Sequence, residues 1–405
     1  MVTISLIVLM MVTNIRDASL RRLAFLGILL FGLVSLLGDI IYEGARGIIP
    51  SYLYHLGATA FIVGLATGLG EFVGYGLRLI SGYLADTTRA YWFFTIMGYG
   101  LIISVPLLAL AGHWQIAVAL IVVERFAKAL RSPSRDALLS FVSKGIGAGK
   151  AFGLHELMDQ VGATVGPAIV TAALFLSGDN YKLALSVLGI PYALLLAVLL
   201  TAYVKLKPYT QGISEKNEDV EDNNPRGTLP FGYKLYALAV LLNTMGLTYG
   251  SLILYKATPL LSAWLIPTLY LAIQAVDAIS APIAGLLYDK IGRRILYLPF
   301  ILSVLPTPLV FMGKLGYVIA GALIFGFIYG MQESIYRAAV TDLAPIRVRG
   351  FAYGVFYALY GIGFLLSGLI LGYMLDAKLI VPATLYTLIS QALAMFLLHK
   401  SIGIR

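Results

Sequence analysis

Gly82-Tyr83-Leu84-Ala85-Asp86 and Gly285-Leu286-Leu287-Tyr288-Asp289 stand 203 positions apart in a chain of 405 residues. Lys150-Ala151-Phe152-Gly153 is echoed by Phe351-Ala352-Tyr353-Gly354, 201 positions on, so the second half repeats the first. Around these copies run apolar stretches at 23–54, 58–86, 90–112, 114–136, 151–176, 183–206, 233–256, 262–288, 294–313, 315–337, 349–375 and 380–400. A helix needs roughly 20 apolar residues to cross a bilayer. Repeat and spans together predict an all-α integral membrane protein of 12 transmembrane helices in two pseudo-symmetric six-helix bundles. A duplicated bundle with charges inside it usually moves a solute across the membrane.

The composition agrees: 60% of residues are hydrophobic and 12% charged, against about 45–50% and 25% in a soluble domain. With no cysteine, disulfides, thiolate zinc and iron–sulfur centres are excluded. His55, His113, His155 and His399 form no metal motif, and no cofactor is expected. The net charge of +9 suggests nucleic acid until its distribution is examined. Connections after odd-numbered spans carry only Lys182, Lys256, Lys314 and Lys378, whereas the other side holds 20 bases, among them Arg131 and Arg135. By the positive-inside rule both termini face the cytoplasm of a cell-membrane protein, and the basicity is topological rather than nucleic-acid-binding.

The expected organisation is an N-terminal cytoplasmic segment 1–22, a first bundle 23–207, a linker 208–232, a second bundle 233–400 and a tail 401–405. Ile4 to Val12 is apolar but too short to span and lacks the flanks of a signal peptide; Met10 and Met11 leave the start codon open. Pro208 ends the sixth span. The acidic stretch to Gly232 reads as a flexible cytoplasmic tether. The first span is long and holds Gly38, Gly44, Gly47 and Pro50, which predicts a bend or partial unwinding near its outer end. Small-residue pairs (Gly64/Gly68, Gly70/Gly74, Gly162/Gly166, Gly350/Gly354, Gly368/Gly372) predict close helix contacts in spans 2, 5 and 11, where the halves slide or simply pack.

Charges at membrane depth are costly and usually functional. Asp39, Glu43 and Arg46 share one face of the first span at i, i+4 and i+7. The second span carries Glu71 and Arg78, the fourth Glu124, Arg125 and Lys128, the eighth Asp277, and the tenth Glu333 and Arg337. Desolvation disfavours a charged carboxylate, so an acid deep in the bilayer can carry a proton; a neighbouring arginine opposes this and lets conformation toggle it. The bland alternative is structural ion pairing, favoured for Glu333/Arg337 and Glu156/Asp159. In the repeat Glu71 corresponds to Gln274 and Arg78 to Ala281, which makes the first half the better candidate for ion coupling. His155, Glu156 and Asp159 are better explained by a helix start than by a metal site. Asn243, Thr244, Thr248 and Tyr249 are placed either to touch substrate or to pair with neighbouring helices. No P-loop supplies ATP hydrolysis.

Gly285 to Arg294, with Asp289, Gly292, Arg293 and Arg294, resembles the signature loop of the major facilitator superfamily, departing where Tyr288 replaces a small residue. The first-half copy keeps Gly82 and Asp86 and includes Arg89, but lacks the base after the aspartate and the later glycine. Arg125 matches the fourth-helix arginine of that family. Gly162, Gly166 and Pro167 resemble its antiporter motif without the trailing glycine pair. Tyr42 to Arg46 and the turn from Arg131 to Ala137 look like a prokaryotic subgroup of unassigned substrate. The resemblance implies alternating access around a cavity lined by helices 1, 4, 7 and 10. The loop aspartates would latch the cytoplasmic side, Asp86 near Arg349 and Asp289 near Lys150, each at a helix N-terminus.

The leading expectation is a monomeric, proton-coupled secondary transporter exporting a small organic or amphiphilic compound. A symporter or uniporter in which Arg46, Arg78 or Arg125 binds an anionic metabolite is the first alternative, and a non-transporting membrane sensor the second. An enzyme is not expected, since no nucleophile–base pair or metal set stands out.

Overall fold

A computed structural model describes residues 2–143, 147–216, 228–345 and 348–403. The chain is arranged as α1 Val2–His55, α2 Ala60–Thr88, α3 Tyr91–Leu110, α4 Trp114–Ser143, α5 Ala148–Ser177 and α6 Tyr181–Lys216, followed by α7 Phe231–Leu260, α8 Leu265–Ile291, α9 over 292–312, α10 Leu315–Leu343, α11 Arg349–Asp376 and α12 Ile380–Gly403. There is no strand among the described residues. In hydrocarbon every backbone group must bond within its own segment, which a helix does. By length and composition alone 10 stretches qualify as spans among the described residues; one of these, Leu265–Met312, contains both α8 and α9. The charge-rich α4 does not qualify, yet most of its charged side chains are enclosed by the other helices.

Connections are short and locally capped. Asn180 accepts from the Leu183 amide at 3.1 Å to start α6, the role a side-chain oxygen plays at a helix N-terminus. At Gly292 the chain turns between α8 and α9 with φ +63°, a conformation that strains residues bearing a Cβ. That is the physical use of the motif glycine.

Three expectations are corrected. The sixth span does not end at Pro208; helix continues to Lys216. The proline forfeits one backbone hydrogen bond to the Val204 carbonyl, a loss that water makes good near a helix end. The linker's residues 217–227 lie outside the described residues. Secondly, α1 stays helical through Pro50 and does not unwind. Its glycines serve close packing instead: a Cβ on Gly44 would meet the Gly166 backbone, and one on Gly47 would meet Pro267. Thirdly, Gly162 and Gly166 lie against the α1 carbonyls of Leu36 and Ile40, inside the first bundle rather than between the halves.

The halves meet mainly through α2 and α11. Gly64 and Gly368 face each other so closely that a Cβ on either would overlap the other's carbonyl oxygen. Farther along, Tyr75 and Tyr357 stack at 5.4 Å. The end of the bundle holding the α1–α2 and α11–α12 connections, the far end, is shut. Both Asp376 oxygens accept from the first two amides of α2, Ala60 and Phe61, at 2.8 Å. The Tyr255 hydroxyl donates to the Ala58 carbonyl at 3.1 Å, and Phe175 meets Trp264 edge-on at 5.4 Å. At the near end, where α2 joins α3 and α8 joins α9, Phe152, Tyr83 and Phe351 are exposed, and added Cβ atoms on Gly153 and Gly350 would meet nothing within 4 Å. The bundle is closed at the far end and open at the near end.

Candidate functional site

Between the halves lies a cavity of about 400 Å³. Its walls come mainly from α1, α2, α4 and α5 on one side, with Tyr99 of α3, and from α7, α8, α10 and α11 on the other, so the expected set of helices 1, 4, 7 and 10 is only part of the lining.

The 3.6-residue period brings Asp39, Glu43 and Arg46 to one wall, as their spacing predicts. Arg46 holds Glu43 at 2.8 Å and Glu71 at 3.2 Å. Glu71 also lies 3.6 Å from Arg125, which holds Glu124 at 2.9 Å, and Glu124 is 3.8 Å from Arg131. Acids and arginines thus alternate from Glu43 to Arg131 across α1, α2 and α4. Glu43, Glu71, Glu124, Arg125 and Arg131 are all buried. An alternating chain of this kind gives each buried charge an opposite partner, without which burial would be prohibitive.

Two of these carboxylates also bond across the interface. The Tyr270 hydroxyl of α8 donates to Glu43 at 2.5 Å, and the Tyr249 hydroxyl of α7 donates to Glu71 at 3.2 Å. Asp39 accepts from the Tyr42 hydroxyl within α1. The Tyr42 ring lies 4.5 Å from the Lys128 ammonium and 5.1 Å from the Arg131 guanidinium, distances at which cation–π attraction operates.

Other candidates divide. Asn243, Thr244 and Thr248 are fully buried structural residues. Asn243 donates to Ser303 and Gln391 and accepts from Gln332 and Tyr336, tying α7 to α9, α10 and α12. Thr248 bonds Thr307. Only Tyr249 of that group reaches the cavity. Glu333 and Arg337 form no carboxylate–guanidinium pair within 4.0 Å among the described residues, contrary to expectation. Glu333 lies within a π-helical turn at Gln332–Tyr336 and Arg337 directly follows it, with the Arg337 Nε turned to the Glu333 carbonyl. Asp159 lies 3.4 Å from His155 one turn away, a local contact.

The signature-loop residues sit at the near end. Asp86 accepts from the Tyr91 hydroxyl at 3.0 Å, while Arg349 donates to the Thr341 carbonyl at 3.1 Å, so the expected Asp86–Arg349 latch is not engaged. Asp289 is exposed, and the side chain of Lys150 lies outside what is described. The two halves are apart at this end, which leaves Asp86 without its expected counterpart. Tyr288, where the loop departs from its usual small residue, donates to Asp342 at 2.7 Å and joins α8 to α10. Gly82 lies against Pro133 and Gly285 against Ser334, each inside its own bundle. Arg89 ends α2 in the left-handed conformation, Arg293 and Arg294 occupy the turn after Gly292, and Pro167 lies within α5.

Sequence reasoning missed Tyr42 and Tyr270 and counted Arg131 and Arg135 among loop bases. Both arginines lie within α4 and line the cavity. Their signal was available: Arg125, Lys128, Arg131 and Arg135 recur at helical spacing.

The fold and its central polar cavity are those of a membrane transporter. The Major Facilitator Superfamily model matches residues 23–368, and the chain belongs to that family. It is 38% identical over 361 residues to an uncharacterized protein of Mycobacterium tuberculosis, covering 86% of each chain. It is 29% identical over 372 residues to an uncharacterized MFS-type transporter of Methanocaldococcus jannaschii, covering 85% of this chain and 87% of that one. Among solved structures, the nucleoside transporter NupG superposes with a TM-score of 0.71 at 14% identity, covering 93% of this chain and 98% of that one. The peptide transporter POT in complex with sulfate gives 0.67 at 14% identity, covering 92% and 94%. At these identities the structural likeness concerns the fold.

Proposed function

We propose that the protein is a proton-coupled secondary transporter of the cell membrane, working by alternating access and exporting a small organic or amphiphilic compound. Both termini, and so the near end, face the cytoplasm. The observation that carries this reading is the pair of bonds across the interface, Tyr270 to Glu43 and Tyr249 to Glu71. Hydrogen bonds to a carboxylate favour its charged form. When the far end opens, α7 and α8 withdraw both tyrosines, and the carboxylates take up protons from outside. When it closes, the tyrosines return and the protons leave toward the cytoplasm. Protons then run inward as solute runs outward. The cavity volume falls within the roughly 300–1,000 Å³ of small-molecule sites, and NupG and POT use the same fold for nucleosides and peptides.

Arg78 and Lys128 favour a second reading, symport or uniport of a solute bearing an anionic group, because both line the cavity without a carboxylate partner within 4.0 Å among the described residues. Proteoliposomes with an imposed proton gradient separate the two. Export by antiport predicts solute movement against the proton flow, abolished by a protonophore. Solute entering with protons, or moving equally well without a gradient, supports the second reading.

A further inference from the structure

Each wall of the cavity carries charges with no opposite charge within 4.0 Å among the described residues. On the first-half wall, the Arg78 guanidinium lies 5.1 Å from the Tyr75 ring, and its Nε has no hydrogen-bond partner. The Lys128 ammonium lies 4.5 Å from the Tyr42 ring and has no carboxylate within 4.0 Å among the described residues. Arg46 and Arg78 both repel Lys128, and the Glu43 and Asp39 carboxylates that attract it stand beyond ion-pair distance. The acids around Arg78 and Lys128 are engaged elsewhere: Glu43 by Arg46 and Tyr270, Glu71 by Arg46, Arg125 and Tyr249, and Asp39 by Tyr42.

The second-half wall shows the opposite sign. Asp277 is 9% exposed, and its Oδ1 is buried without a partner. No base lies within 4.0 Å of it among the described residues, and the charges that act on it, Glu333 and Glu43, are also acids. Like charges gathered at membrane depth are costly, and a ligand of opposite charge relieves the cost on each wall. Beside these poles, Tyr249, Phe325 and Tyr329 form an aromatic shelf, with Phe325 5.6 Å from each of the other two rings.

We infer that the solute is a zwitterion with an aromatic or apolar body, its anionic group held by Arg78 and Lys128 and its ammonium group by Asp277. The body lies on the Tyr249–Phe325–Tyr329 shelf. This inference rests on the transport reading above and adds the class of solute.

The test uses the purified full chain in nanodiscs, with calorimetric titration of three probes that share a naphthyl body, and empty nanodiscs as the reference. Naphthylalanine carries both charges, naphthylpropionate only the carboxylate, and naphthylethylamine only the ammonium. Naphthylalanine should bind at least roughly tenfold more tightly than either, as expected for a second charge-assisted contact. Lys128→Gln should reduce naphthylalanine to the affinity of the amine and leave the amine unchanged; Lys128→Arg should restore it. Asp277→Asn should reduce naphthylalanine to the affinity of the acid and leave the acid unchanged, a pattern that general unfolding does not produce. Naphthylpropionate binding as tightly as naphthylalanine, a preference that survives Asp277→Asn, or no binding of any probe overturns the inference. The predicted pattern without flux in proteoliposomes removes the transport reading and leaves the ligand class standing. Flux of a singly charged solute, indifferent to both substitutions, does the reverse.

Discussion

The Tyr270 hydroxyl of α8 reaches across the interface between the halves and donates to Glu43 of α1 at 2.5 Å. This bond joins a carboxylate of one bundle to a donor of the other in a structure closed at the far end. Tyr249 stands in the same relation to Glu71. In the proposed mechanism these two side-chain pairs are what couples proton movement to conformation.

Removing these hydroxyls should loosen that link without removing the cavity. Tyr270→Phe loses a hydrogen bond to a charged group, about 1.5–3 kcal/mol. Proteoliposomes carrying it, or Tyr249→Phe, should bind solute normally and show proton flux that no longer tracks solute flux. Unchanged stoichiometry in both variants would remove the tyrosines from the coupling path.

Asp376 caps the first two amides of α2 from the opposite bundle, where a negative charge meets the positive end of a helix. Asp376→Asn should weaken far-end closure by about 0.5–2 kcal/mol, the usual worth of such a cap. The chain has no cysteine, so a single Ala58→Cys reports on that end directly. Its labelling by an impermeant maleimide should rise in the Asp376→Asn background, whereas equal labelling would contradict the role.

The Gly64–Gly368 contact leaves no room for a Cβ. Gly64→Ala should hold α2 and α11 apart, since overpacking costs about 1–3 kcal/mol, enough to shift a two-state equilibrium roughly 5- to 150-fold. Ala58→Cys should then label more readily while transport falls. Normal transport with unaltered labelling would show that the helices relax around the methyl group.

How much of this was legible beforehand depends on the kind of signal. The spacing of Asp39, Glu43 and Arg46 places them on one face, and the cavity wall has them there, because helical periodicity survives any tertiary arrangement. The partners of those residues carry no such mark. The chain holds 26 tyrosines, and what separates Tyr270 from the others is only where α8 crosses α1. Arg131 was misread for a related reason: a base near a span's end looks like a loop charge until α4 proves to run on to Ser143. The expected latch between Asp86 and Arg349 is not engaged in the present state, which is open at the near end. A sequence motif does not say which conformation a structure will take.

Asp289, exposed here at the open end, should act only when that end closes. Asp289→Asn should leave the present state intact and depopulate the near-end-closed one. Labelling of a single Gly350→Cys should increase in that variant; populations that do not change would count against the loop aspartate as a latch.

The central claim is that solute and protons move in opposite directions through Glu71. The most direct test is pH-probe fluorescence in acid-loaded inverted membrane vesicles containing wild type or Glu71→Gln, challenged with cationic, anionic, zwitterionic and neutral amphiphiles. The account predicts that one class of compound triggers proton efflux in wild type and none in the variant. A compound that binds the protein yet moves no protons in wild type, or the same efflux with Glu71→Gln, would contradict it.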